Sequence, residues 1–163
     1  MVSLKYDNLT IARGIGLRTA AVYLAYMYAE MQLKYSDASP VAATDGKVLH
    51  INPKFYNAPG VTPQHVLFVL CHEVLHAWLM HPKRRKRYET SKLGPDGKRF
   101  NRKRWAMSID YLVNAILIHD KIGEMPVGEW EGLYDRKFTH TMTVEEIYVA
   151  LETDEEEEED EED

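Results

Sequence analysis

Cysteine is almost missing from this chain. Cys71 stands alone, so no intramolecular disulfide can form, and a structural zinc site, which usually closes with four ligands and favours cysteine, is hard to build. Its place inside an apolar stretch reads as a small core residue, and on a helix it would point roughly 100° away from its neighbour His72. Apolar runs of membrane-spanning length are lacking too, and the opening MVSLKYDNLT has no basic-then-apolar shape of a secretion signal. The expectation is a soluble, cytoplasmic protein without membrane contact. No linker divides residues 1–151, which are long enough for one domain with a single core.

What is present is concentrated in Thr62 to His81, TPQHVLFVLCHEVLHAWLMH. Thr62 is a good N-cap and Pro63 suits the first helical position, where its missing N–H costs nothing. Val66, Leu67, Val69, Leu70, Val74, Leu75, Trp78 and Leu79 follow without an internal Gly or Pro, so a core helix is predicted as far as His81, before Pro82. Residues four apart on such a helix lie one turn apart, with a rise of about 6 Å, so the imidazoles of His72 and His76 can converge on one ion. Glu73 can then reach a water on that ion without being a ligand, the arrangement of zinc-binding HExxH helices. The plain alternative is a pair of core histidines satisfied by hydrogen bonds.

A third ligand has two candidates. His81 lies five residues past His76, so on a continuing helix it turns roughly 140° away, and no glycine stands there to turn the chain back. It reads as a helix-end residue or one that supports a ligand from behind. Asp110 is better placed, in a second apolar helical pattern, Trp105 to His119, where it shares a face with Asn114. A carboxylate in so apolar a setting is costly unless bound to a metal or paired, for example with an arginine.

Three stretches together, TDGKVLHINPKFY at 44–56, CHEVLHAWLMHPKRR at 71–85 and WAMSIDYLVNAIL at 105–117, resemble the metallopeptidase domain that precedes von Willebrand A-like domains in many bacterial proteins. The ordered match runs from about residue 10 to 151. The resemblance implies Zn2+ as cofactor, His72 and His76 as ligands, Asp110 as the third, Glu73 as catalytic base, and a bacterial or phage source. It also implies a zincin-like α+β fold, mostly helical, with a small antiparallel sheet or hairpin beside the metal-bearing helix. No von Willebrand-like companion follows in this sequence, which departs from the family's usual layout.

Elsewhere the pattern is less specific. Residues 9–34 read as one long helix, capped by Asp7, Asn8 or Thr10, with Tyr23, Tyr26 and Tyr28 as packing residues. Asp45-Gly46 between short apolar runs signals a hairpin, and Val48 to Ile51 is the candidate strand for aligning a peptide substrate; His50 on it could face the cleft or solvent. His65, about 10 Å along the helix from His72, is too far to share its ion.

Residues 82–104 hold eleven Lys or Arg against two acids and, with Gly94, Pro95 and Gly97 forming a turn, are expected to form an exposed basic loop, a hairpin or a flexible excursion. Arg84, Arg85, Lys86, Arg87, Arg102, Lys103 and Arg104 are its candidate contacts to nucleic acid or an acidic partner, with Tyr88 and Phe100 available to stack on bases. Tyr134 or His140 could lean over the metal and stabilise an oxyanion. Thr143-Val144-Glu145-Glu146 is a capping box that opens a short helix to Leu151. Residues 152–163 carry eleven of the chain's 26 acids and are expected to form a disordered tail that competes with anionic partners for the basic loop.

The chemistry these readings favour is zinc-dependent peptide hydrolysis. Two other classes remain open: a zincin-like scaffold without activity, and a nucleic-acid-binding module built on residues 82–104. A di-iron carboxylate bundle would need a second Glu-x-x-His beside Glu73 and His76, and the sequence has none. Substrate identity and oligomeric state are not encoded in any of these patterns.

Overall fold

The structure is a computed structural model, described over residues 6–151; residues 1–5 and the acidic stretch 152–163 lie outside the described residues. Its elements run α1 (Asn8–Thr19), α2 (Ala21–Glu30), β1 (Gln32–Tyr35), β2 (Ala42–Thr44), β3 (Val48–Ile51), α3 (Pro53–Tyr56), α4 (Pro63–Trp78), α5 (His81–Ser91) and α6 (Arg102–His119). A last helical segment spans 144–151, opened by the Thr143 and Glu146 capping box. The fold is α+β and mostly helical, as expected, with one small sheet. No helix among the described residues is long and apolar enough to cross a membrane.

Helix α4 is the axis of the molecule. It is capped by Thr62, whose hydroxyl accepts from His65 N–H while the His65 ring accepts from Thr62 N–H, so His65 is a capping residue rather than a ligand. Nearly every α4 side chain is buried, the signature of a helix surrounded on all sides. Leu67, Leu70 and Val74 pack with Leu9 of α1, Leu24 of α2, Leu49 of β3 and Val113 of α6 in the main core. A second cluster joins Trp105 and Leu112 of α6 to Phe138, Ile147 and Tyr148. Cys71 is fully buried in the main core, as its setting suggested.

Three expectations change. The stretch read as one helix over 9–34 breaks at Ala20 (φ −140°, ψ 43°), and its end is strand β1, which owes its form to pairing with β3 rather than to local pattern. The sheet is therefore mixed, not antiparallel: its order is β1-β3-β2, with β1 and β3 parallel and the β2–β3 hairpin antiparallel about Asp45-Gly46. Residues 82–104 are not a loop. Their first half continues helix α5, since Lys and Arg are good helix formers, Pro82 sits harmlessly at its start, and Arg85 and Glu89 pair one turn apart. A tight turn closed by a Leu93–Arg99 bridge then leads into α6.

Helix α4 also stops three residues early. Met80 adopts the left-handed conformation (φ 59°, ψ 32°), which reverses the chain without a glycine and swings His81 back toward α4.

Candidate metal centre

Helices α4 and α6 pack side by side and turn one face each toward a common cleft of about 390 Å³. Into it α4 sends His72 and His76, one turn apart, and α6 sends Asp110. The three donor atoms form a near-equilateral triangle. His72 Nε2 and His76 Nε2 are 2.8 Å apart, His76 Nε2 and Asp110 Oδ1 3.0 Å, and His72 Nε2 and Asp110 Oδ1 3.2 Å. Donors on one tetrahedral zinc stand about 3.3 Å apart at bond lengths near 2.05 Å, so these residues fit a single small ion with a slight relaxation outward. They form the one three-residue cluster of this kind found among the described residues.

Each imidazole is held from behind. His72 Nδ1 lies 2.7 Å from Asn114 Oδ1, and the Asn114 amide donates in turn to the Leu133 carbonyl at 2.8 Å. An amide oxygen only accepts, so His72 carries a proton on Nδ1 and turns Nε2 to the cleft. His76 Nδ1 lies 2.9 Å from His81 Nδ1, and the His81 ring is buried with its edge on Trp105. Burial, helped by the positive charge of neighbours, pushes His81 down to about 3, so it is neutral and can accept from His76.

The electrostatics of the site are those of a carboxylate set against two imidazoles. Burial works against a charge on His72, yet the hydrogen bond and the charge of Asp110 outweigh it and push His72 up to about 9. Burial would raise Asp110, but the two imidazoles hold its carboxyl well below the usual carboxylate range. Glu73, next to His72, is 6% exposed, and burial raises its carboxyl above the ordinary value against the opposing pull of both histidines.

The walls are apolar and come from two segments. Residues Val41 to Thr44, essentially strand β2, form one side, and Met125 to Leu133 in part form the other, with Trp130 and Gly132 facing in. Gly123 (φ +59°) starts the second wall: a Cβ there would fall 2.7 Å from the Gln64 carbonyl, so only glycine lets this turn lie on α4. Gly132 presses on Asn114 in the same way, with a would-be Cβ 2.9 Å from Nδ2.

Of the candidate residues, the structure brings His72, Glu73, His76, Asp110 and Asn114 together around the cleft, with His81 directly behind His76. Tyr134 and His140 do not line it. Tyr134 is exposed, and His140 stacks on His119 at the far end of α6, ring centroids 3.6 Å apart. Strand β3 and His50 are also outside it, because β3 is the central strand and the sheet's edge at the cleft is β2. The Asp-Gly turn announced the hairpin but not which arm would be outermost. The wall at 125–133 was missed, with only its glycines as a signal.

The basic residues of 82–104 differ in their surroundings. Arg84 pairs with Glu145, Arg102 approaches Glu89 at 3.4 Å, and Arg104 lies 3.9 Å from Asp96, while Lys86, Arg87 and Lys103 are exposed. Tyr88 and Phe100 stack on each other beside Trp105, which commits them to packing.

No curated protein and no solved structure matches the sequence. A family model does, over residues 9–163, and its description is "Putative metallopeptidase domain". A metal is implied by that description, and the donor triangle of His72, His76 and Asp110 could hold one. With nearly the whole sequence matched, the chain belongs to this metallopeptidase domain family.

Proposed function

We propose that this chain is a zinc-dependent peptidase whose metal is held by His72, His76 and Asp110. The observation that carries the reading is the convergence of those three donors with a buried carboxyl, Glu73, in a cleft flanked by a free strand edge. A zinc ion there would supply Lewis acidity to a water and to the carbonyl of the scissile bond.

The chain's own residues do the rest. Asn114 holds the Nδ1 proton of His72, and His81 is placed to hold that of His76, so that both Nε2 atoms are turned to the cleft. Glu73, its affinity for a proton raised by burial, takes the proton of the attacking water and passes it to the leaving amine. Among the described residues strand β2 pairs on one side only, with β3, so its other edge offers backbone N–H and C=O groups to an extended polypeptide. The apolar walls exclude bulk water around these groups.

Elemental analysis of purified protein tests the metal. About one zinc per chain in the wild type and a large loss in Asp110→Ala is the expected result; no zinc after supplementation would end the proposal. Glu73→Gln should then keep its zinc and lose peptidase activity by at least about 100-fold. Zinc bound with no cleavage of any polypeptide by the wild type would instead leave an inactive scaffold.

A further inference from the structure

Beyond the metal cleft the chain carries a larger groove, of about 1000 Å³, between the β2–β3 turn, the end of α4 and the outward face of α5. The two adjoin at Thr44, the last residue of β2, which stands in the wall of both, so a polypeptide lying along β2 at the metal is directed toward the groove.

The groove is built for negative charge. Lys47, Lys83, Arg85 and Lys86 line it against Asp45 and Glu89. The four cations outnumber the two carboxylates, and neither acid forms an ion pair with a lysine of the groove among the described residues. The Asp45 carboxylate accepts from the N–H groups of Lys47 and Val48, which hold it below the usual range, and Glu89 lies between Arg85 and Arg102. Lys47, Lys83 and Lys86 have no ion pair among the described residues. Arg85 Nε is shielded from solvent, 3.5 Å from Glu89 Oε1, and without a hydrogen-bond partner there.

Its floor is apolar. Trp78 is 45% exposed although it belongs to the central helix, and it stacks on Tyr26 with centroids 5.8 Å apart; Met80 beside it is 49% exposed. A rigid aromatic and a flexible thioether ringed by cations suit an acidic segment that carries an apolar side chain.

Resting on the peptidase reading above, we infer that the substrates are polypeptides with a cluster of acidic residues bound in this groove. Nucleic acid would meet the cations and Trp78 as well, but the edge strand β2, whose last residue Thr44 lines the groove, favours a polypeptide backbone. At about 3.3 Å per extended residue, the three residues of β2 place the acidic cluster about three to five residues from the scissile bond, on one side of it.

The test uses a fluorescein-labelled dodecapeptide with a Glu-Glu-Leu-Glu block and its counterpart with Gln for Glu, titrated by anisotropy into zinc-loaded full-length Glu73→Gln protein. The acidic peptide should bind at least about tenfold more tightly than the Gln peptide. Adding Lys83→Glu and Lys86→Glu should remove that advantage with the melting temperature unchanged, whereas adding Lys34→Glu, on strand β1, should leave it intact. Equal binding of the two peptides, or no effect of the double reversal, overturns the inference. Binding of oligothymidylate in place of the acidic peptide, lost in the double reversal, overturns it in favour of nucleic acid.

Digestion of a peptide mixture by the wild type separates the two proposals. Specific binding with no cleavage leaves the groove and removes the peptidase; cleavage with no acidic preference at those positions leaves the peptidase and removes the groove's role.

Discussion

A histidine can offer Nε2 to a metal only while Nδ1 carries the proton, and in this site that choice is made by two residues that touch no ion. Asn114 accepts from His72, and His81 Nδ1, 2.9 Å from His76 Nδ1, is placed to do the same for His76. Asn114→Ala and His81→Ala should therefore each weaken zinc binding by about tenfold or more, measured by competition with a chromophoric chelator. Unchanged affinity in both would mean that helix α4 alone orients the rings. Gly132→Ala should act through the same path, since its methyl group would sit within 2.9 Å of the Asn114 amide, and a several-fold loss is expected with the fold intact. The metal-free site makes its own prediction. His72, raised to about 9, contributes stability that is complete below about 6.5 and is lost as pH rises through 9; Asp110, depressed, contributes above about 3.8 and loses it in acid. The difference in Tm between metal-free wild type and Asp110→Asn should thus be largest between about pH 4 and 6.5 and shrink on both sides. A difference independent of pH would show that the pair does not titrate in this way.

At the scale of elements, the site depends on one backbone residue. Met80 turns the chain between α4 and α5 in the left-handed region, where a side chain costs about 1 kcal/mol and a β-branched one more. Met80→Gly should raise stability by about 1 kcal/mol in urea denaturation, and Met80→Ile should lower it and weaken zinc binding by displacing His81. Equal stability of the two variants would show that the turn carries no strain. This turn also marks the limit of what the sequence discloses. Helix spacing made His72 and His76 converge, and the apolar setting of Asp110 pointed to a buried partner, because both signals are local and periodic. His81 could be recognised as a supporting residue but not placed, since nothing in HAWLMHPK announces a non-glycine left-handed residue. Strand β1 was hidden for a different reason: Gln32 to Tyr35 form a strand only because β3 lies beside them. The basic run 82–104 resembles a loop by its charge density, whereas the helix propensity of Lys and Arg decides its first half.

Charge is the whole-molecule property that remains, and the formal value of −6 conceals its layout. Residues 152–163 hold eleven acids and no base, which leaves the first 151 residues at +5. The acids there have the same chemistry as the acidic segment inferred to occupy the groove beside α5. We therefore propose that they compete for Lys47, Lys83 and Lys86, so that their effective concentration, fixed by attachment to the same chain, sets a threshold that a substrate must exceed. Competition of this kind is electrostatic and fades as the Debye length falls from about 10 Å at 0.1 M salt to about 3 Å at 1 M. A chain ending at Glu152 should bind the labelled acidic dodecapeptide several-fold more tightly than the full chain at low salt, with the two converging at high salt. Adding the double reversal Lys83→Glu and Lys86→Glu should abolish that gain, because it removes the surface for which both ligands compete. If the shortened chain has the wild-type melting temperature, affinity and salt dependence, the acidic stretch does not reach the groove and its charge acts elsewhere.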